Sequence, residues 1–162
     1  MSDPLEGFNL ITSLQADTGK RLQALDQFTG RKGLDIVTED IGDVLAALAM
    51  RMAKIGIGVA VVTPKIAKGE RVGEIVVTVT IAITEKPLIN RSSTGSNIRA
   101  TDLVAAVIGL LNGWLHDPWT RFVLQSADPV SPPAEADAAF KDAVEWDVVF
   151  QTSTILRVET IQ

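Results

Sequence analysis

The stretch Glu74-Ile75-Val76-Val77-Thr78-Val79-Thr80-Ile81-Ala82-Ile83-Thr84-Glu85 sets large β-branched residues at odd positions against smaller or more polar ones at even positions. A period of two held this long predicts a β-strand whose odd side chains, Ile75, Val77, Val79, Ile81 and Ile83, face a core. At about 3.3 Å per residue it would run about 35 Å, longer than the usual strand of about 5 to 6 residues. Such a strand belongs inside a sheet, and the rest of the chain reads as the material that covers it. The strand itself carries no chemistry.

A chain of 162 residues that is 46% hydrophobic is expected to form one domain burying about 70% of its unfolded surface. Residues 1–162 are expected to comprise a helical amino-terminal segment, 1–33, and a sheet-and-helix core, 34–158. With no Cys, disulfides, thiolate metal sites and a cysteine nucleophile are excluded. Neither a signal-like start nor an apolar run of 18 residues is present, so the expectation is a soluble protein made in the cytoplasm, with no membrane partner. The net charge is -5, and residues 128–147 hold Asp128, Glu135, Asp137, Asp142, Glu145 and Asp147 against Lys141 alone, while acids and bases elsewhere balance. Without a basic face or an aromatic platform, sequence-specific nucleic-acid binding is not expected.

Before the long strand, Leu5, Phe8, Ile11, Leu22, Leu25 and Phe28 fall in two groups, which predicts two short helices broken near Asp17-Thr18-Gly19, with Thr18 capping the second. A turn at 30–33 and a short strand at 34–37 follow. Thr38-Glu39-Asp40 then opens an amphipathic helix with Ile41, Val44, Leu45, Leu48, Met52 and Ile55 on one stripe, stopped by Gly56. Met50 and Met52 read as core and partner-facing packing. Residues 57–63 form the next strand, closed by Pro64. The Gly56-Ile57-Gly58 run lacks a third glycine and a Lys-Ser/Thr ending, so it reads as a helix-to-strand turn instead of a phosphate loop. Residues 64–73, with Lys65, Lys68, Glu70 and Arg71, make a long charged arm, exceeding the usual hairpin connection of about 2 to 5 residues.

After it, Lys86-Pro87 stops the ladder, and Asn90 begins a polar, mobile loop that runs to Asn97. A helix over 98–115 carries Leu103, Val107, Leu110, Leu111 and Trp114 on one face, apolar enough to be buried on more than one side. His116, the only histidine, has Asp117 beside it, but adjacent residues diverge on a regular backbone, so it reads as a helix-boundary residue and not a catalytic one. Residues 122–127 form a strand, and an acidic loop with Pro129, Pro132 and Pro133 leads into a helical turn within 134–142. The acids there miss the EF-hand spacing and read as a solvated face. The last strand, 143–152, places Val144, Trp146, Val148 and Phe150 on one face and Glu145, Asp147 and Gln151 on the other. Ile155, Leu156 and Val158 extend it, and a tail begins at Glu159. The fold class is therefore α+β, a mixed and mainly antiparallel sheet of about four to five strands flanked by helices.

The residues 75–84 running into Glu85-Lys86-Pro87-Leu88-Ile89-Asn90-Arg91, the helix 105–114 and the strand 146–152 give an element order that resembles the tail terminator and tail-completion proteins of tailed bacteriophages. The resemblance covers about residues 35–152 and contains no invariant chemical motif. It implies a structural protein of the virion tail that assembles in the host cytoplasm as a homo-oligomeric ring, commonly of six subunits. Such a ring caps the tail tube protein and meets the head-tail connector protein. It implies no catalytic, cofactor or metal site. Partner contacts are then expected on the arm and the polar loop, through Lys65, Lys68, Arg71, Arg91, Asn97 and Arg99. The alternatives left open are a head-completion or neck protein, a component of another contractile apparatus, and a small ligand-binding or enzymatic α+β domain.

Overall fold

The alternation at 74–85 becomes the middle of a five-stranded sheet. The computed structural model describes residues 9–28, 35–38, 43–131 and 140–156. In chain order the elements are α1 (Leu10–Gln23), β1 (Ile36–Thr38), α2 (Val44–Ile55), β2 (Ile57–Lys68), β3 (Glu74–Glu85), α3 (Pro87–Asn90), α4 (Ala100–Leu111), β4 (Val123–Val130) and β5 (Val144–Ile155). The strand order is β1-β2-β3-β5-β4, with β1 parallel to β2 and every other pair antiparallel. This is the expected α+β class, a mixed sheet flanked by helices.

β3 pairs along its whole length with β5, from Glu74↔Ile155 to Glu85↔Val144, and from Ile75 to Glu85 with β2. Its odd residues Val77, Val79, Ile81 and Ile83 are fully buried with Val59, Val61, Val148 and Phe150, under Leu14 and Leu22 of α1 and Leu103, Val107 and Leu111 of α4. Each such side chain contributes about 1.5 to 3 kcal/mol of burial. The even face is covered unequally. Leu48 and Met52 of α2 pack with Val37, Ala60, Ala82 and Phe140 over β1, β2 and one end of β3. Toward β5 and β4, that face has no helix over it among the described residues.

Several boundaries differ from the sequence reading. The first helix is continuous through Asp17-Thr18-Gly19, and Thr18 is no cap: its hydroxyl donates to Leu14 O at 2.6 Å, inside the helix. Gly19 lies where β1 passes closest, so a missing side chain there marks a crossing of elements and not a break. Thr38 ends β1, and the cap of α2 is Asp43, whose Oδ1 accepts from Ala46 N at 3.0 Å. Leu45 is half-exposed and Met50 is 70% exposed, so the buried stripe narrows to Leu48 and Met52. Pro64 does not close β2: one extra residue between Val62 and Lys65 forms a bulge, and pairing resumes from Lys65↔Thr78 to Lys68↔Ile75. A proline is tolerated there because β1 pairs only with Val59, Ala60 and Val61, leaving this stretch of β2 at the sheet edge. The connection shrinks to residues 69–73, and the expected mobile arm is a paired hairpin. α4 is shorter than 98–115, while β4 starts at Val123 and continues through Pro129 as an edge strand. The expected turn at 30–33, the acids Glu39 and Asp40 with Ile41, the helical turn up to residue 139, Val158 and the tail lie outside the described residues.

Gly56 ends α2 in the left-handed conformation at φ +79, and a Cβ there would overlap the backbone of Asn90. Gly58 lets Leu48 lie directly on β2. The helix-to-strand reading of this run therefore holds for steric reasons. Gly56→Ala is expected to lower unfolding free energy by about 3 kcal/mol, through strain and overlap together. Gly109→Ala, on an open face of α4 with nothing nearby, should raise it by up to about 1 kcal/mol. Urea unfolding of both variants checks the contrast, and equal effects would refute it.

Candidate assembly surfaces

The six residues expected to meet partners fall into two groups at opposite ends of β3. Lys65, Lys68 and Arg71 belong to the hairpin at the Glu74 end, while Arg91, Asn97 and Arg99 lie at the Glu85 end. Eleven residue steps of strand put these ends about 36 Å apart. One patch does not contain both.

The hairpin is held on both sides. Gly69 N donates to Glu74 O at 2.9 Å, Leu156 N donates to Gly73 O at 2.7 Å, and β5 pairs with β3 out to Glu74. Arg71 reaches Glu74 at 3.9 Å. At this end Ile66, Val72, Ile155 and Leu156 are exposed, Val72 to 97%. Apolar side chains gathered at one rim, among cations, mark a contact surface better than a single exposed residue does. A cleft of about 680 Å³ opens beside them, lined by Arg71, Glu74, Thr120, Ser153, Thr154 and Leu156 among others. Hydroxyls tie β5 to the segment before β4 here: Thr152 Oγ1 donates to Thr120 O at 2.6 Å and Thr154 Oγ1 to Pro118 O at 2.9 Å.

At the other end the polar loop is ordered around a buried Asn90, contrary to its reading as mobile. Asn90 Nδ2 donates to Glu85 Oε1 at 2.9 Å and to Ile98 O at 2.7 Å, and its Oδ1 accepts from Ser96 Oγ. Glu85 Oε2 accepts from Ala100 N at 3.1 Å, so a strand carboxylate serves the start of α4, where Arg99 supplies no side-chain cap. Arg91 lies 3.7 Å from the same carboxylate. Asn97, at φ +58, donates to Ser92 O and Gly95 O, which turns its amide inward to the loop. All three residues of this group are exposed, with the Asn97 amide engaged within the loop and Arg91 partly held by Glu85.

His116 has a role that its neighbours in sequence do not reveal. Its Nε2 meets Asp17 Oδ2 of α1 at 2.9 Å, and its ring stacks on Trp114 at 4.9 Å between centroids. Arg21 of α1 sits 5.0 Å from the centroid of the Trp114 ring and donates to Leu110 O at 3.2 Å. These contacts clasp the amino-terminal helix to the end of α4 and are structural.

The pair missed in the sequence is Glu145 and Asp147, read there only as the polar side of β5. The missed signal was two acids at i and i+2 in an alternating strand, a spacing that puts both carboxyls on one face. Asp128 stands directly across from Asp147 on β4, and Thr84 directly across from Glu145 on β3. Burial raises the Glu145 carboxyl from its ordinary 4.5 to about 7, helped by the charge of Asp147 and by their hydrogen bond, and burial raises Asp147 as well. Thr84 Oγ1 and Asp147 Oδ1 are buried without a hydrogen-bond partner. Among the described residues no three acidic or histidine side chains form a metal-ligand group, and no helix is long and apolar enough to cross a membrane.

No protein-family model matches the chain, and no curated protein matches it significantly.

Because the folded Glu145 binds its proton more tightly than the unfolded chain does, its contribution to stability is complete below pH 4.5. That contribution is lost as pH rises through about 7. Allowing for solvent screening, the loss is about 1 to 2 kcal/mol. Glu145→Gln is expected to flatten the dependence of melting temperature on pH between 5 and 8 and to exceed the wild type at pH 8. An unchanged slope would assign the dependence to other groups.

Proposed function

We propose that this chain is a structural subunit of a bacteriophage tail, a terminator that closes as a ring on the tail tube and joins it to the head-side connector. The observation that carries this reading is the hairpin end: a paired, braced projection that presents Val72, Ile66, Ile155 and Leu156 among Lys65, Lys68 and Arg71. Such a surface is suited to docking a protein and offers no convergent chemistry for transforming a substrate. The five-stranded mixed sheet flanked by helices is compatible with the fold that the resemblance implies. Two contact zones about 36 Å apart also suit a subunit placed between two different structures, with the hairpin tip toward the tube and Arg91 and Arg99 toward the connector. In this reading the protein resides in the virion, six copies is the count that the resemblance implies, and no cofactor or nucleic-acid sequence is recognised.

Electron microscopy of phage particles carrying an epitope-tagged chain tests the placement. The expected image is a labelled ring at the head-proximal end of the tail; label at the neck alone, or none in the particle, would overturn it. Val72→Asp should leave unfolding within about 0.5 kcal/mol of the wild type, since the side chain is exposed. The same variant is expected to produce tails of irregular length without joined heads, and normal particles would remove the hairpin tip from the contact.

A further inference from the structure

The hairpin and the carboxyl pair have complementary charge and cannot meet within one molecule. Lys68 pairs with Ile75, and Glu145 pairs with Thr84, nine positions further along β3 and therefore about 30 Å away. The carboxyl pair lies half-buried on the even face, beside the Ala82 patch that α2 covers. Asp128 adds a third carboxyl from β4, while β3 offers only the uncharged Ala82 and Thr84 there. Lys141 and Asp142, in the turn before β5, are exposed, as is Lys54 of α2, and Arg51 is turned to Asp35 at 3.7 Å. Among the described residues no cation forms an ion pair with Glu145 or Asp147. Thr84 points to a missing partner independently of the acids: the residue is 1% exposed, directly opposite Glu145, and its hydroxyl makes no hydrogen bond. Unmet buried polar groups are costly and rare in finished structures.

We propose that the half-buried acidic face of β5 and β4 receives the basic hairpin of a second copy of this chain, with a lysine ammonium of the incoming hairpin against the accessible edge of Glu145 and Asp147. Lys65 and Lys68 lie on opposite faces of the hairpin, at Thr78 and Ile75 respectively, so one of them faces the receptor in either approach. The two surfaces are at opposite ends of one sheet, which makes the contact head-to-tail, the type that closes into a ring when the rotation per subunit permits. The inference rests on the ring reading above and assigns its subunit contact. It gives Lys65 and Lys68 to the neighbouring copy and leaves Val72 and Arg71 at the tip for the tube. An ammonium that displaces the proton held between Glu145 and Asp147 also couples association to pH, favouring assembly on the alkaline side of neutrality.

Sedimentation velocity of the full chain tests this with two charge-reversed variants, K65E/K68E and E145K/D147K. Wild type is expected to associate at low salt, at least about tenfold more tightly at pH 8 than at pH 5.5. Each variant alone should lose association about tenfold or more, and an equimolar mixture should regain it, because the acidic hairpin of one then meets the basic receptor of the other. If E145K/D147K does not fold by circular dichroism, E145Q/D147N decides: it should weaken association about tenfold and remove its pH dependence. Wild-type chain that assembles while the variants assemble equally well overturns the docking and leaves the ring standing. Wild-type chain that stays monomeric at every concentration overturns both.

Discussion

β3 pairs with β5 through all twelve of its residues and with β2 through ten, Val79 facing the bulge. A central strand bonded on both sides has no freedom of register, since a slip by one residue would turn Val77, Val79, Ile81 and Ile83 out of the core. Everything else is placed by that constraint. α1 and α4 take the face with the large aliphatic side chains, and α2 takes the small-residue patch at Ala60 and Ala82.

The Glu85 end shows how a strand terminus is turned into an ordered loop. Glu85 is buried, yet its carboxylate is shared by an Asn90 amide, the first amide of α4 and the Arg91 guanidinium. Removing any one of these would leave a charge insufficiently solvated, and a buried charge stripped of partners is far more costly than a pair formed at the surface. The loop 90–97 is ordered by that requirement, in spite of a composition of Ser, Thr, Asn and Gly.

What the sequence made legible is what depends on local period. Alternation in 74–85 and 144–152, the apolar stripe of α4 and the stop at Gly56 all involve residues close in the chain. Pro64 misled because its cost depends on whether a neighbour strand needs its amide, and β1 is too short to do so. Gly19 and Thr18 misled because a glycine can serve a crossing of helix and strand, which only the tertiary path defines. Of the candidate contact residues, the two groups were named but their separation was not, since that is the length of β3. The Glu145 and Asp147 pair escaped because a strand's polar face reads as solvated unless one knows which strands lie beside it and what covers them. The tie between His116 and Asp17 spans most of the chain, and no spacing rule reports it.

The bracing of the hairpin tip has a mechanical corollary. A pull on Val72 along the strand axis enters β2 at Lys68 and β3 at Glu74 together and is resisted by the ladder between β3 and β5, whose bonds run across the direction of pull. Bonds arranged in that way yield together, as a sheet in shear, and do not open singly like a zipper. The tip therefore behaves as a stiff lever whose displacement is passed to the Glu85 end with little internal give.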